Sequence, residues 1–290
     1  MDEPTVSNVS FNIYSWMDTF HIQPNHAKLI DTYNWISIML KIVPEYVRSR
    51  ICLNTIFIEI PTPFEIRNLF RSRGRISELT NLRENNLREY VFIAKQAALM
   101  NPYYTPNKLV LVIEDNEIVD DPVTELNPFA DEDIHNCIEP IILISVGIIT
   151  RRGLKILSSH ANVLIIDKIK RTYELFDPYG KTSEIINQWF ETDFRQIADL
   201  EDYTYLSPMV LCPNLGPQSI AERTEPIPKT EKGYCMSYTF MYIQMRLANP
   251  HLEPQQIVEL LLSKPPAELR LYAFLYNTIL HQHYGWPLRD

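Results

Sequence analysis

The fold is decided by residues 232–247, which read KGYCMSYTFMYIQMRL. Apolar or aromatic side chains fall on nearly every side of the helix that this stretch predicts, and that pattern is typical of a helix buried in a core. Asn249-Pro250 ends the helix, because the residue before a proline is pushed out of the α region. Cys235 therefore lies in the first helical turn, where the unpaired N–H groups and the helix dipole favour a thiolate.

The composition restricts the class of protein. The chain has 290 residues, of which 46% are hydrophobic, and this supports a large core. Its net charge of −9 argues against nucleic acid as the main partner. The longest apolar run, residues 140–150, is about half of the ~20 residues that a membrane helix needs, so no membrane partner is expected.

The cysteines and histidines indicate free thiols and no metal. The four cysteines are far apart and form no C-x-x-C pair: Cys52, Cys137, Cys212 and Cys235. The first residues lack the basic and apolar regions of a secretory signal, so we expect a reducing compartment rather than secretion. Neither His135 with Cys137 nor His281 with His283 makes a zinc ligand set of structural spacing. No cofactor is expected.

Periodicity divides the chain into two parts. After a polar lead-in over residues 1–24, the pattern predicts helices and one strand, over residues 26–43, 51–60 (the strand), 63–71 and 76–100. Residues 1–110 are therefore predicted to be a mostly helical N-terminal portion that binds substrate or a partner. Residues 111–290 are predicted to be the domain that carries the Cys235 helix, with an acidic surface loop over residues 114–136.

The second half alternates strands and helices, which predicts an α+β domain. Short β-branched or apolar runs predict strands over residues 108–113, 138–150, 160–167, 172–177 and 203–211. Helical spacing predicts further helices over residues 183–198, 253–262 and 266–283. Residues 212–232 are predicted to be a long loop that leads into the Cys235 helix.

The predicted hairpin brings a histidine and a carboxylate together. With residues 168–171 as the connection, Asp167 pairs with Thr172, and paired positions sum to 339. Side chains alternate across a strand, so His160 and Asp177 share one face and become diagonal cross-strand neighbours, with Cβ atoms roughly 6–8 Å apart. Asp167 points to the opposite face, which makes Asp177 the better partner for the imidazole.

Together these residues predict a nucleophilic Cys-His-Asp arrangement. In it, His160 takes the proton of the Cys235 thiol, and Asp177 holds the imidazole in orientation. Gln218 and the Cys235 backbone N–H are the candidate donors to an oxyanion. Each residue also has an ordinary interpretation: a buried cysteine, a surface His–Asp contact, and common turn chemistry over residues 177–180. The rival serines, at positions 158, 159 and 219, lack a G-x-S-x-G elbow.

The order His160, Asp177, Gln218, Cys235 resembles that of the ubiquitin-like-protein proteases and adenovirus-type proteases, a rearranged branch of the papain-like cysteine proteases. The segments SHANVLI (159–165) and FDPYG (176–180), with GPQ (216–218), GYC (233–235) and LANPH (247–251), resemble proteins of large DNA viruses of this type. The resemblance covers roughly residues 138–265. The cellular enzymes differ in carrying an aromatic residue where Ala161 stands, a glycine where Met236 stands, and a glutamine closer to the cysteine.

The resemblance implies a papain-like fold and hydrolysis of peptide or isopeptide bonds through an acyl-enzyme, without a metal. The implied substrates are conjugates of a ubiquitin-like modifier or viral precursor proteins, and the implied location is the host cytoplasm or the virion. Tyr179 and Tyr234 are candidates for the aromatic wall of a narrow substrate tunnel. Two alternatives stay open: an inactive binding or structural virion protein on the same fold, and an acyltransferase that uses the same Cys-His-Asp site.

Overall fold

The computed structural model describes residues 9–22, 51–52, 108–114, 117–118, 140–152, 155–213, 215–223 and 234–284. The helices predicted over residues 26–43, 63–71 and 76–100 lie outside these ranges, as do most of the strand predicted over residues 51–60 and most of the acidic loop. The predictions that the structure addresses therefore concern mainly the second half of the chain.

The described residues form one mixed sheet of seven strands: β1 (Ile51–Cys52), β2 (Lys108–Glu114), β3 (Glu117–Ile118), β4 (Ile141–Arg152), β5 (Lys155–Asp167), β6 (Thr172–Phe176) and β7 (Thr204–Leu206). Their order is β3-β2-β4-β5-β6-β7, and β1 also pairs with β4. Pairing is antiparallel for β2–β3, β4–β5 and β5–β6, and parallel for β1–β4, β2–β4 and β6–β7.

Eight α-helices occur in the described residues: α1 (Ile13–Asp18), α2 (Glu184–Trp189), α3 (Arg195–Ile197), α4 (Pro208–Leu211), α5 (Pro217–Arg223), α6 (Cys235–Ala248), α7 (Pro254–Leu261) and α8 (Pro266–Tyr284). A π-helical turn, Phe190–Phe194, joins α2 to α3. The combination of helices with a mixed sheet is compatible with the predicted α+β class. The predicted Cys235 helix and the two C-terminal helices are confirmed.

Three predictions of local structure are wrong. The strand predicted over residues 203–211 stops after β7, because Ser207 caps α4 by accepting a hydrogen bond from the Val210 N–H and Pro208 starts the helix. The loop predicted over residues 212–232 contains α5. The lead-in over residues 1–24 contains α1, which Asn12 caps through its side-chain oxygen.

The core has two layers, one on each face of the sheet. On one face, α6 packs against β5 and is surrounded by α1, α7 and α8. On the other face, the segment from α2 to α3 covers the alternate residues of β4, β5 and β6. From Met236 to Ala248 every residue of α6 is buried, which agrees with the apolar or aromatic side chains on nearly every side of the helix.

One charged cluster is buried between α6 and the sheet. The Arg246 guanidinium donates to Glu174 (Nε to Oε1, 3.0 Å) and to Asp167 (Nη2 to Oδ2, 3.3 Å), and the Tyr242 hydroxyl donates to Glu174 at 2.9 Å. Buried charges are tolerated only when they are paired and hydrogen-bonded. This cluster therefore fixes α6 in one position along β5 and β6.

The N-terminal portion contributes to the same core. Asn249, at the end of α6, accepts a hydrogen bond from the Phe11 N–H (2.9 Å) and donates one to the Phe11 carbonyl (2.8 Å). The Tyr14 hydroxyl donates to the Leu261 carbonyl of α7. The predicted boundary between residues 110 and 111 lies inside β2, so α1, β1 and the first part of β2 join the sheet and helices of the second half.

Candidate active site

The nucleophile candidate stands where the sequence predicts it. Cys235 is the first residue of α6 and is partly exposed, whereas the residues that follow it in the helix are buried. Tyr234 occupies the N-cap position without a side-chain cap hydrogen bond. The first N–H groups of an α-helix have no partner inside the helix and point out of its end. The thiol therefore lies at the positive end of a 14-residue helix.

The predicted hairpin register is confirmed. Asp167 pairs with Thr172 and Val163 pairs with Phe176, so paired positions sum to 339 throughout the ladder. β6 ends at Phe176, and Asp177 begins the turn that follows. The His160 Nε2 and Asp177 Oδ1 atoms lie 2.8 Å apart, with 15% of the histidine side chain and 4% of the aspartate side chain exposed. The two side chains therefore meet as the alternation of the strands predicts.

The turn itself fixes the Asp177 carboxylate. Its Oδ1 atom accepts a hydrogen bond from the Tyr179 N–H at 2.7 Å, and its backbone carbonyl accepts one from the Gly180 N–H at 2.8 Å. Gly180 has φ of +81°, a value that glycine adopts without strain. The carboxylate is thereby aimed at His160 before any substrate binds.

His160 also forms a hydrogen bond with Cys235. Because its Nε2 atom is taken by Asp177, Nδ1 is the ring nitrogen left for the thiol. Burial by itself lowers the pKa of His160, but the hydrogen bonds and charges of Asp177 and Cys235 outweigh it and raise that pKa to about 10. The raised pKa favours the protonated ring, and a protonated imidazole beside Cys235 is the partner that stabilises a thiolate.

A second contact aligns the helix with the strand. The Thr239 hydroxyl, one turn after Cys235 on the same side of α6, donates to the Ala161 carbonyl at 3.2 Å. Ala161 follows His160 directly, so this hydrogen bond sets the position of the thiol relative to the imidazole. Thr239 was not among the predicted site residues, although its i+4 spacing from Cys235 places both on one helix face.

Gln218 lies beside the site, with its amide engaged. It is buried in α5, and its Nε2 atom donates to the Tyr179 hydroxyl at 3.1 Å and to Glu222 Oε1 at 2.7 Å. A primary amide has two N–H hydrogens, and both are used in these bonds. Its Oε1 atom is buried and has no hydrogen-bond partner among the residues that the structure describes. The role of Gln218 as oxyanion donor stays a prediction.

Of the two tyrosines suggested for a tunnel wall, only Tyr179 contacts the imidazole. Its ring centroid lies 4.7 Å from that of His160 with 34° between the planes. Burial, with the charges of Glu222 and Cys235, raises the pKa of Tyr179 to about 12, so its hydroxyl keeps its proton at neutral pH. Tyr234 is 5% exposed and packs edge-on against Phe274 of α8, at 4.6 Å between ring centroids.

Glu222 and the structural requirement for Gly216 were not predicted from the sequence. Glu222 lies four residues after Gln218, a spacing that brings the two side chains together only in a helix. Predicting residues 212–232 as a loop hid this contact. A Cβ atom on Gly216 would lie 2.3 Å from the Pro178 carbonyl oxygen, so the glycine is required by the close approach of the two segments.

No protein-family model, curated protein or solved structure matches this chain. Within the described ranges, no helix is long and apolar enough to cross a membrane. Among those same residues there is also no group of three or more histidine, cysteine, aspartate or glutamate side chains that could hold a metal ion. The site is therefore interpreted from its own geometry.

Proposed function

We propose that the protein is a cysteine peptidase or isopeptidase that acts through an acyl-enzyme. The observation that carries the proposal is the position of His160, which is hydrogen-bonded to Asp177 at 2.8 Å and also to Cys235 at the start of a buried helix. A nucleophile, a base and a group that orients the base are the parts that thiol-dependent acyl transfer requires.

The reaction follows from these positions. The Cys235 thiolate attacks the carbonyl carbon of the scissile bond, and the negative charge moves to the carbonyl oxygen. N–H groups at the start of α6, including that of Cys235, stabilise the oxyanion. The His160 imidazolium gives its proton to the leaving amine as the C–N bond breaks. Water then attacks the thioester carbon while His160 takes one of its protons, the C–S bond breaks, and the carboxylic acid leaves with the Cys235 thiolate and the His160 imidazolium restored.

The resemblance to ubiquitin-like-protein and adenovirus-type proteases supports a narrower version of this proposal. Its four motif residues are Cys235, His160, Asp177 and Gln218, and three of them lie in direct contact or at the helix start that acyl transfer needs. On this basis the fold is papain-like, the substrate is a ubiquitin-like conjugate or a viral precursor, and the protein works in the host cytoplasm or the virion. Neither nucleic acid nor a metal takes part.

Labelling by activity probes tests the proposal. The full chain is incubated with a panel of ubiquitin-like modifiers, each carrying a thiol-reactive group at its C-terminus, and with peptide probes that end in two small residues. We expect one probe to label the wild type, no label in Cys235→Ala, and a rate about 10²–10⁴ times lower in His160→Ala.

Cys212→Ala is the matched control. The Cys212 thiol is buried, and burial together with the Asp177 charge raises its pKa to about 12, so it stays protonated and unreactive. Labelling of Cys212→Ala should equal that of the wild type. Label retained in Cys235→Ala would contradict the assignment of the nucleophile. Transfer of an acyl group from acyl-CoA to protein, without probe labelling, would replace hydrolysis by acyltransfer.

A further inference from the structure

The face of the His160 imidazole is covered by Tyr179. The hydrogen bond to Asp177 fixes one ring nitrogen, but it leaves the ring free to turn about that contact. The torsion that sets the plane of a histidine ring has only broad preferences. Packing on the ring face therefore adds to the hydrogen bonds from Asp177 and Cys235 in setting the plane, and the Tyr179 ring, with 4.7 Å between ring centroids and 34° between the planes, supplies that packing.

The hydroxyl of Tyr179 is held from the far end. It accepts a hydrogen bond from Gln218 Nε2 at 3.1 Å, and it donates to Glu222 Oε1 over a longer 3.5 Å. Gln218 and Glu222 are themselves joined by a bond of 2.7 Å, which is short because the acceptor is a carboxylate. Tyr179, Gln218 and Glu222 are thus each hydrogen-bonded to the other two and form a triangle of side chains. The ring of Tyr179 packs against the His160 imidazole.

The backbone of the same tyrosine is fixed to the same helix. The Tyr179 carbonyl accepts hydrogen bonds from the Gly216 N–H (3.0 Å) and the Ser219 hydroxyl (2.8 Å), while the Pro178 carbonyl accepts one from the Gln218 N–H (2.9 Å). The turn after β6 and the start of α5 therefore move as one unit. A side chain anchored at both its backbone and its tip cannot rotate away from the ring that it covers.

We propose that Tyr179 is a positioning residue of this site, and that Gln218 and Glu222 hold it in place so that the His160 imidazole stays aligned between Asp177 and Cys235. The inference rests on the proposed function only in assuming that His160 serves Cys235. It gives Gln218 a role different from oxyanion donation, because both hydrogens of its amide are used to hold Tyr179 and Glu222.

Alkylation of Cys235 by iodoacetamide tests the inference, because this reaction needs a thiolate but no oxyanion donor. The readout is the ratio of the rates at pH 6 and pH 9.5, in the full-length chain. Tyr179→Leu, which removes the ring, should lower the ratio by about ten- to a hundredfold, the scale of a misplaced catalytic group. Tyr179→Phe, which keeps the ring but frees its tip, should lower it by a smaller factor.

Variants of the two supporting residues test the triangle. Glu222→Ala should act like Tyr179→Phe, while Glu222→Gln keeps an acceptor oxygen and should restore most of the ratio. Gln218→Ala should lower the ratio as Tyr179→Phe does, whereas a residue that acts only as oxyanion donor would leave it at the wild-type value. Tyr205→Phe is the matched control, since it removes a hydroxyl bonded to Asn187 at 3.0 Å on the other face of the sheet.

The NMR signal of the His160 ring proton Hε1 gives a readout that needs no reactivity. Because a tyrosine ring covers the imidazole, this signal should be shifted by the ring current, return towards its ordinary position in Tyr179→Leu, and broaden in Tyr179→Phe. The inference would be overturned if both Tyr179 variants had the alkylation ratio of the wild type and an unchanged His160 Hε1 signal. A different result is possible in which the His160 signal moves in Tyr179→Leu, but the wild-type alkylation ratio is that of an ordinary thiol. That result would support the positioning of His160 by Tyr179 and overturn the proposed function.

Discussion

Replacing Arg246 by methionine should destabilise the protein, because the buried Glu174 carboxylate loses its positively charged partner. Methionine keeps the apolar stem of the side chain but removes the guanidinium. Asp167 retains hydrogen bonds from the Ile169 and Lys170 N–H groups at 3.1 and 3.0 Å, whereas Glu174, 1% exposed, retains only the Tyr242 hydroxyl as a side-chain donor among the described residues. Stranding one partner of a buried ion pair costs about 3–5 kcal/mol. That is a large part of a typical stability of about 5–15 kcal/mol.

The loss should depend on pH in a stated direction. Burial raises the pKa of Glu174, and the Arg246 charge opposes that rise. Without Arg246 the folded protein binds a proton at Glu174 that the unfolded chain releases at lower pH. Stability of Arg246→Met should therefore fall as pH rises above about 4.5, by at most about 1.4 kcal/mol per pH unit. The deficit should be smaller at pH 5 than at pH 8.

Urea unfolding at pH 5 and pH 8 measures the effect. Lys170→Met is the matched control, because it breaks an ion pair with Glu253 at 2.9 Å in which 63% of the glutamate side chain is exposed. It should cost at most about 1 kcal/mol. The double variant Glu174→Gln with Arg246→Met removes the stranded charge and should recover most of the loss. An Arg246→Met deficit equal to that of Lys170→Met, or one that grows towards pH 5, would refute the reasoning.

Three further perturbations test the site. The NMR signals of the His160 ring should titrate near pH 10 rather than near 6.5, and titration near 6.5 would contradict the ion pair. Because the pKa of His160 is higher in the folded protein, its contribution to stability is complete below pH 6.5 and is lost as pH rises through about 10. Thr239→Val removes the hydrogen bond to the Ala161 carbonyl and should lower the free energy of unfolding in urea by about 1 kcal/mol. It should also slow alkylation of Cys235 at pH 6, and an unchanged rate would show that this hydrogen bond does not align the thiol. Gly216→Ala puts a methyl group 2.3 Å from the Pro178 carbonyl oxygen, and this overpacking should cost roughly 1–3 kcal/mol and lower the melting temperature by several degrees. An unchanged melting temperature would show that the turn after β6 and the start of α5 separate easily.

The sheet and the buried helix could be predicted because strong local patterns decide them. The apolar run of α6 has no solvent face, and the register of β5 with β6 follows once the connection over residues 168–171 is placed. Where the hydrophobic pattern is short, the helix-capping residues decide whether a strand or a helix forms. The segment after β7 was predicted as a continued strand, yet Ser207 and Pro208 start a helix there.

The site could be predicted only where it depends on strand geometry. Alternation brought His160 to Asp177, and the helix start gave Cys235 its place. The contacts of Gln218 could not be found in the same way, because they depend on a seven-residue helix that the charged and proline-bearing sequence did not indicate. Glu222 lies one turn from Gln218 in that helix, so its contact could not be predicted without the helix.

The close approach of Gly180 to Gly216 has a consequence for the order in which the chain folds. Their backbones fit together only after β5 and β6 have paired, because Gly180 belongs to the turn that ends this hairpin. We therefore expect docking of α5 to be a late event, and contacts that form after the folding transition state mainly slow unfolding. Substitutions at either glycine should speed unfolding more than they slow folding. On this expectation, the His160 imidazole gains the ring that covers it only when α5 docks.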